Sequence, residues 1–316
     1  MSYRIKTHGR IGAELQRVAD QELAAALAEL RSLDKSGSGE TVHEARRHFK
    51  KLRALVQLFR GLLGAKCVRA EVAFYRDTGR KFQRLRDAEA QIATLKKLTK
   101  RFFEKRKPRI AVAAHRVLLA EAQRAHRALA RKGRCEAVLA SLYEARERVA
   151  GWNLDGYRWK DLRAALRRSY RRAREAWRHA SAKSKPRSLH HWRRRTKDLF
   201  YHLSLCHSAA PDFIEELAGE FEVLGEFLGD DHDLVVLRTL LEQHPLDIPP
   251  GQARDAFFQV LTLRRKELLD AAFDLAGRVF LESPGEFIDA LDTRRDEHRQ
   301  RYKRVRRVAE RLAAQR

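Results

Sequence analysis

The sequence predicts an all-α fold made of two tandem helical lobes. Its 316 residues include only 16 Gly and 7 Pro, which favours long uninterrupted helices over a turn-rich β-sandwich. Hydrophobic residues make up 44% of the chain, enough for a core, so a disordered basic chain is excluded. A basic segment near residue 43 recurs near residue 190, which indicates that the two halves of the chain are similar.

Helical periodicity accounts for nearly every segment in turn, and no strand pattern stands out. Thr41 and Ser188 are predicted N-caps, Pro108 and Pro211 open their helices, and a break or bend is expected near Gly79. The predicted helices cover 11–31, 41–63, 67–104, 108–132, 135–149, 157–180, 189–206, 211–243, 252–281 and 286–314. Clusters of Gly, Ser, Lys or Pro predict breaks or loops at 36–39, 151–156, 183–186 and 244–251.

The internal repeat aligns residues that lie 147 positions apart. His43, Arg46, Arg47, Lys50 and Leu52 match His190, Arg193, Arg194, Lys197 and Leu199. Further along, the pair Arg86-Asp87 matches His232-Asp233 at an offset of 146, a slip of one residue. We therefore expect a first lobe at residues 1–150 and a second at 151–316.

Each copy of the repeat places donor groups on one helix face. At roughly 100° per residue, one strip contains His43, Arg46, Arg47, Lys50 and Arg53, and the other contains His190, Arg193, Arg194, Lys197 and Tyr201. A charged face is often simply solvated, but such a face tolerates acidic residues at i,i+4 spacing. No carboxylate lies among His43, Arg46, Lys50 and Arg53. The doubled strip therefore favours an anion-binding surface, because clustered cations repel one another unless an anion neutralises them.

A third basic stripe follows the predicted helix at 157–180. Its members are Lys160, Arg163, Arg167, Arg171, Arg174 and Arg178. We include Arg163, Arg167 and Arg171 as candidate anion contacts, and a solvated face is an equal alternative. Acidic residues concentrate instead at 212–226, so the field of the folded protein should be strongly directional.

Charge and cysteine usage restrict the class of protein. The net charge of +25 suits a polyanionic partner. The three Cys are far apart without a CxxC motif, which indicates reduced thiols in a cytoplasmic protein. The N-terminal MSYRIKTHGR lacks an apolar secretory core, and no apolar stretch is long enough to span a membrane.

The repeated motifs resemble those of the CHAD family, the conserved-histidine α-helical domains. The resemblance rests on VHEARRHFKKLR at 42–53, LHHWRRRTKDLFY at 189–201, Arg86-Asp87, and LGDDHD at 228–233. It implies two helical bundles related by a pseudo-twofold axis around a basic central cavity. It also implies binding of inorganic polyphosphate and association with polyphosphate granules and their proteins.

Two positions depart from the family pattern. Phe200 stands where an Arg usually precedes the Tyr of the second motif, and His232 replaces the Arg of the second Arg-Asp pair. Both changes shift the expected anion contacts, which include Arg86, towards the first lobe.

Three function hypotheses follow. The first is non-enzymatic binding of polyphosphate, without a cofactor, through many phosphate contacts. The second is a nucleic-acid-binding protein that uses the same charge, with nucleic acid as a non-specific competitor under the first hypothesis. The third is a phosphate-transferring enzyme, but no P-loop, HExxH or nucleophile elbow is present.

Residues 230–233 suggest a metal site only weakly, because consecutive helical residues point in different directions. Asp87 and Asp233 are expected instead to cap or to pair with basic residues, and His43 and His190 to contact phosphate or to be structural.

Overall fold

The computed structural model describes residues 3–6, 10–36, 39–103, 108–129, 134–243 and 251–314. Every secondary-structure element in this part of the chain is a helix, and no strand occurs in it, which confirms the predicted all-α class. Its helices are α1 (Ile11–Ser36), α2 (Gly39–Leu58), α3 (Gly64–Arg80), α4 (Gln83–Phe102), α5 (Arg109–Leu129), α6 (Arg134–Ala150), α7 (Trp159–Ala182), α8 (Pro186–Leu205), α9 (Pro211–Gln243), α10 (Gln252–Val279) and α11 (Pro284–Ala314). None of these helices combines the length and apolar character needed to cross a bilayer.

Most predicted boundaries hold to within a few residues, but the two predicted N-caps are wrong. The helix α2 begins at Gly39, so Thr41 already lies inside it. In α8 the first residue is Pro186, whose fixed φ suits an initial helical position. Ser188 is therefore the third helical residue, where its hydroxyl accepts a hydrogen bond from the Lys185 amide at 3.1 Å.

The predicted break near Gly79 is confirmed, because α3 ends at Arg80 and α4 begins at Gln83. The predicted loop at 36–39 is shorter than expected, since its first and last residues belong to α1 and α2. Residues 37–38, and 244–250 of the other predicted loop, lie outside the described residues.

The helices repeat along the chain as the sequence motifs do. The bounds of α2 and α8 are 147 residues apart at both ends. The packing order also repeats: α1 packs on α2 as α7 packs on α8, and α2 packs on α3 as α8 packs on α9. In the same way α4 packs on α5 as α9 packs on α10. The pseudo-twofold relation and the division at residue 150 stay predictions.

The main hydrophobic core takes side chains from both halves of the sequence. Phe49 and Leu52 of α2 belong to the same buried cluster as Trp192 and Leu199 of α8. A second cluster joins α4 and α5 to α9 and α10. The helix α2 packs against α4, α4 against α9, α9 against α8, and α8 against α2. These four helices therefore form a closed circuit of packed neighbours.

A buried histidine links three helices in this core. His202 of α8 is 3% exposed, and its two ring nitrogens lie 2.8 Å from the Ser169 hydroxyl of α7 and 2.7 Å from the Ala54 carbonyl of α2. Burial lowers the pKa of His202, so the ring is neutral: Nε2–H donates to the carbonyl, and Nδ1 accepts from the hydroxyl. This contact sets the position of α2 relative to α8.

Candidate anion-binding groove

A groove of about 1010 Å³ lies within the circuit formed by α2, α4, α8 and α9. Residues from each of these helices line it. Its basic lining comprises His43, Arg47, Lys50, Lys51, Arg53, Arg86, Lys97, Arg193, Arg194 and Lys197. Four of the five members of each predicted strip therefore line one shared groove; Arg46 and His190 do not.

Packing of the opposite helix faces directs the strips into this groove. In α2, Val42 and Phe49 are 0% and 2% exposed in the core, which turns Lys50 and Arg53 towards the groove. In α8 the fully buried Trp192 fixes the apolar face in the core, which turns Arg193 and Lys197 towards the groove. The amphipathic pattern thus determines which residues reach the groove.

Lys50 lies at the centre of the basic surface. Its side chain is open to solvent in the groove, although protein atoms surround it on most sides. This enclosure, and then repulsion from Arg193, Arg46 and other cations, lowers the pKa of Lys50 to about 7. Arg193 and Lys50 come from different halves of the chain, so tertiary packing concentrates the charge beyond what either strip carries alone.

Several cations in the groove have no protein anion as a partner. Within the described residues, no carboxylate oxygen comes within 4.0 Å of a side-chain nitrogen of Lys50, Arg53 or Arg193. The Nε atoms of Arg46, Arg53 and Arg193 are buried without a hydrogen-bond acceptor in the same part of the chain. Unsatisfied buried donors destabilise a fold by about 1–3 kcal/mol each, so these arginines are held in the fold at an energetic cost.

Not every cation of the strips is unpaired. Arg47 forms an ion pair with Glu44 at 2.6 Å, and Lys51 forms one with Glu22 at 3.1 Å. These pairs lie at the margin of the strip on α2 and leave its centre positive.

The acidic helix α9 borders the groove, which the sequence analysis did not predict. Its carboxylates in the lining are Glu222, Glu226, Asp230 and Asp233. Asp230 pairs with Lys97 of α4 at 3.1 Å. Three further carboxylates line the groove on the other helices: Glu40 of α2, Glu89 of α4 and Asp198 of α8. The lining is therefore mixed in charge, with most of its cations on α2 and α8 and most of its carboxylates on α9.

Two glycines allow α9 to approach the basic strip of α8. A Cβ atom at Gly225 would lie 2.7 Å from Cε of Lys197, and one at Gly229 would lie 3.3 Å from Nη2 of Arg193. The aliphatic part of the Lys197 side chain therefore packs against the backbone of α9 at Gly225, where a larger residue would collide with it. The four-residue spacing of these glycines puts both on one face of α9, but it does not identify the helix that this face meets.

The two aligned histidines occupy related but different surroundings. His43 lines the groove, and burial together with repulsion from Arg86 and Lys50 lowers its pKa. His190 does not line the groove; its ring centre lies 4.6 Å from that of His232. Burial and the neighbouring imidazole lower the pKa of His190 to about 4, and its buried Nδ1 has no hydrogen-bond partner among the described residues.

Arg46 lies behind the groove surface. Its guanidinium donates a hydrogen bond to the Gly79 carbonyl, at the end of α3. Arg46 therefore connects α2 to the break between α3 and α4, and burial lowers its pKa. It contributes charge to the groove without forming part of its lining.

Two aromatic side chains of α8 line the groove. Tyr201 is 8% exposed and packs edge-on against Tyr3, and burial raises its pKa to about 12. Phe200 occupies the position that Arg53 has in the first copy, and the Lys197 ammonium lies 5.3 Å from its ring centre. A cation–π contact thus replaces one guanidinium in the second strip.

The three candidate arginines of α7 do not line the groove. Arg163 pairs with Asp292 and Asp289 of α11, because α7 packs against that helix. Arg171 lies 3.8 Å from Glu175, and Arg167 is exposed. The stripe is therefore separate from the anion-binding surface and partly neutralised within the fold.

The acidic residues at 230–233 form contacts with basic neighbours. Asp231 pairs with Arg265 of α10 at 2.8 Å. Asp233 lines the groove, where burial raises the pKa of its carboxyl and Arg193 and Arg86 act in the opposite direction. No group of three or more His, Cys, Asp or Glu side chains suited to a metal ion occurs in the described ranges.

Comparison with known proteins agrees with the fold and the repeated motifs. The family model of the CHAD domain matches residues 17–242. The crystal structure of the CHAD domain from the plant Ricinus communis aligns with a TM-score of 0.56 and 17% identity, over 89% of this chain and 93% of that chain. At that identity the likeness establishes the fold. None of the curated proteins compared with this chain matches it.

Proposed function

This chain belongs to the CHAD domain family, and from that premise we propose that it binds inorganic polyphosphate in the groove without catalysing a reaction on it. One observation carries the proposal: Lys50, Arg53 and Arg193 meet in one groove without a carboxylate partner within 4.0 Å in the described residues. Asp198 acts on Arg53, and Asp230 and Asp233 act on Arg193, only from beyond ion-pair distance. A polyphosphate chain supplies one anionic group per phosphate.

The arrangement suits a flexible polyanion. Guanidinium groups donate two parallel hydrogen bonds to phosphate oxygens, and each contact releases bound counterions. The negative border on α9 repels phosphate, so the chain follows the side formed by α2 and α8. In this proposal His43, Arg47, Arg86, Arg194 and Lys197 add contacts along that side, and Tyr201 packs beside them.

The binding test is a titration with polyphosphate of defined length at several salt concentrations. The double variant K50A/R193A removes one central cation from each half of the chain. We expect its affinity to fall, and the slope of log affinity against log salt to become shallower by about one unit for each cation that no longer meets a phosphate. Thermal stability should hold or rise slightly, because removing like charges relieves repulsion.

The matched control is K66A/R69A, which removes the same charge from exposed positions on α3. It should weaken polyphosphate binding much less, since these residues lie outside the groove. Equal reductions in affinity for the two double variants would mean that binding follows net charge alone and would refute a defined site.

Nucleic acid is the alternative ligand of the groove. The aromatic lining residues Phe200 and Tyr201 are the feature that favours it, because bases stack on such rings. Competition between polyphosphate and single-stranded RNA of equal charge separates the two ligands. Preference for the RNA would overturn the polyphosphate proposal.

The absence of catalysis is tested separately. We expect no release of phosphate from bound polyphosphate, with or without divalent metal ions. Steady turnover that disappears in K50A/R193A would instead place an active site in the groove.

We further propose that the protein is cytoplasmic, as its isolated cysteines indicate, and that it localises to polyphosphate granules with their other proteins, as the family resemblance implies. A fluorescent fusion should co-localise with granules, and K50A/R193A should lose this localisation. Granule staining that is unchanged in the variant would show that another surface carries the localisation.

A further inference from the structure

The last helix extends away from the body of the protein. The first part of α11 packs through Phe287, Ile288 and Leu291, and Trp159 of α7 donates a hydrogen bond to Asp292 at 2.8 Å. Beyond Arg295, whose guanidinium lies 4.1 Å from the Trp159 ring centre, no described residue of α11 is buried. All described side chains from 299 to 307 are exposed.

This extension, which we call the basic arm, is strongly cationic. The sequence has no acidic residue between Glu297 and Glu310. The arm is defined by its exposed cations with described side chains, which are Arg299, Arg301, Lys303, Arg304 and Arg307. No carboxylate lies within 4.0 Å of any of them in the described part of the chain. A short helix without tertiary contacts is marginally stable, and like charges weaken it further, so an anionic partner would stabilise the arm.

The distribution of charge around the arm identifies the shape of this partner. At 100° per residue, Arg299, Lys303 and Arg307 fall within about 80° of one another. Arg304 and Arg301 follow at about 140° and 200° from Arg299. Cations therefore cover more than half of the circumference. A flat anionic surface, such as a membrane or an acidic protein face, contacts only one side of a helix and would leave much of this charge unmatched.

We propose that the basic arm binds duplex DNA by lying in its major groove. A helix with its side chains is about 10–12 Å across, and the major groove of B-form DNA is about 12 Å wide with phosphates along both walls. Cations on opposite sides of the arm then face phosphates on both strands. The major groove of A-form RNA is too deep and narrow for this fit. The arm contacts the phosphate backbone, so the binding is not specific for sequence.

The test is fluorescence anisotropy of a labelled 20-base-pair DNA duplex with the full chain, at several salt concentrations. The variant R299Q/K303Q/R307Q keeps the helix but removes three cations. Its affinity for DNA should fall at least tenfold, and the salt slope should become shallower by up to about 0.9 for each phosphate that is no longer neutralised. The matched control K66Q/R69Q/R116Q removes three exposed cations elsewhere and should fall less than threefold. Circular dichroism verifies that both variants remain folded.

Equal reductions in affinity for these two variants would refute the proposal, because binding would then follow net charge. Binding of an A-form RNA duplex as tightly as DNA would also overturn it. So would a self-association that the arm variant abolishes, which would make the acidic face of a second copy the partner. The groove variant K50A/R193A should keep its affinity for DNA. Failure of the arm therefore leaves the polyphosphate proposal unaffected, and the reverse also holds.

Discussion

Binding of polyphosphate should take up a proton at Lys50 and weaken as the pH rises. The pKa of this lysine is lowered from 10.5 to about 7 by its enclosure and by neighbouring cations, which include Arg193, Arg46, Arg86 and Lys197. A bound phosphate reverses the repulsion and returns the pKa towards its ordinary value. Binding thus favours the protonated form, and the neutral form that accumulates above pH 7 must first be protonated.

The size of the effect follows from this shift. A group with a pKa near 7 is roughly nine tenths protonated at pH 6 and roughly one tenth protonated at pH 8. This sets an upper limit of about tenfold on the reduction in affinity over that interval. Because solvent in the groove screens Lys50, we expect a reduction of about three- to tenfold.

The assay is calorimetric titration with long polyphosphate, whose few terminal groups contribute little titration of their own. Measurements at pH 8 in two buffers of different ionisation enthalpy should report uptake of up to one proton per bound site. The control is K50R, because guanidinium stays charged at every pH used. This variant should bind at pH 8 at least as well as at pH 6. A pH dependence that K50R retains unchanged would refute the assignment to Lys50, and His43 would be the next group to test.

Two further variants test the packing around the groove. Gly225→Ala should displace Lys197, because the new Cβ atom would lie 2.7 Å from its Cε, and should lower the salt slope of polyphosphate binding by about one unit while helix content stays unchanged. A slope equal to that of the wild type would show that Lys197 does not contact the ligand. His202→Ala should destabilise the fold by about 2–4 kcal/mol in chemical denaturation, because Ser169 and the Ala54 carbonyl lose their buried partner. The pKa of His202 in the folded protein lies below its ordinary value of 6.5. The stability that the neutral ring contributes is therefore complete above pH 6.5 and declines as the pH falls. The variant has no such group, so it should lose less stability than the wild type on acidification. Parallel acid profiles for the two proteins would contradict this role.

Local patterns predicted the helices well because helix formation depends on nearby residues. Periodicity and the sparse Gly and Pro residues placed most helix ends within a few positions, and Gly79 marked the break between α3 and α4. The N-caps were less predictable. Thr41 and Ser188 are residue types that suit an N-cap, but the two helices begin two residues earlier, at Gly39 and Pro186. Differences of one or two residues at a helix end are common.

Dependence on nearby residues also explains why the sequence predicted some groove residues correctly and others wrongly. Lys50 and Arg193 were found because each lies opposite a continuous apolar face, and a buried face determines where the other face points. Arg163 and Arg171 follow an equally regular spacing on α7. The surroundings of Arg163 depend on α11, which is more than 100 residues away in sequence, and Asp292 neutralises Arg163 there. Arg171 lies instead near Glu175 of its own helix.

Composition and the spacing of residues along the chain predicted the helical class, the repeat and the two basic strips, and the repeated motifs pointed to the family. The tertiary structure added that the acidic helix α9 borders the groove, that Arg46 is directed to Gly79 behind its surface, and that His190 is not part of its lining. Contacts between distant helices depend on how whole faces fit together. The close approach of Lys197 to Gly225 is such a contact, and no pattern within either helix specifies its partner.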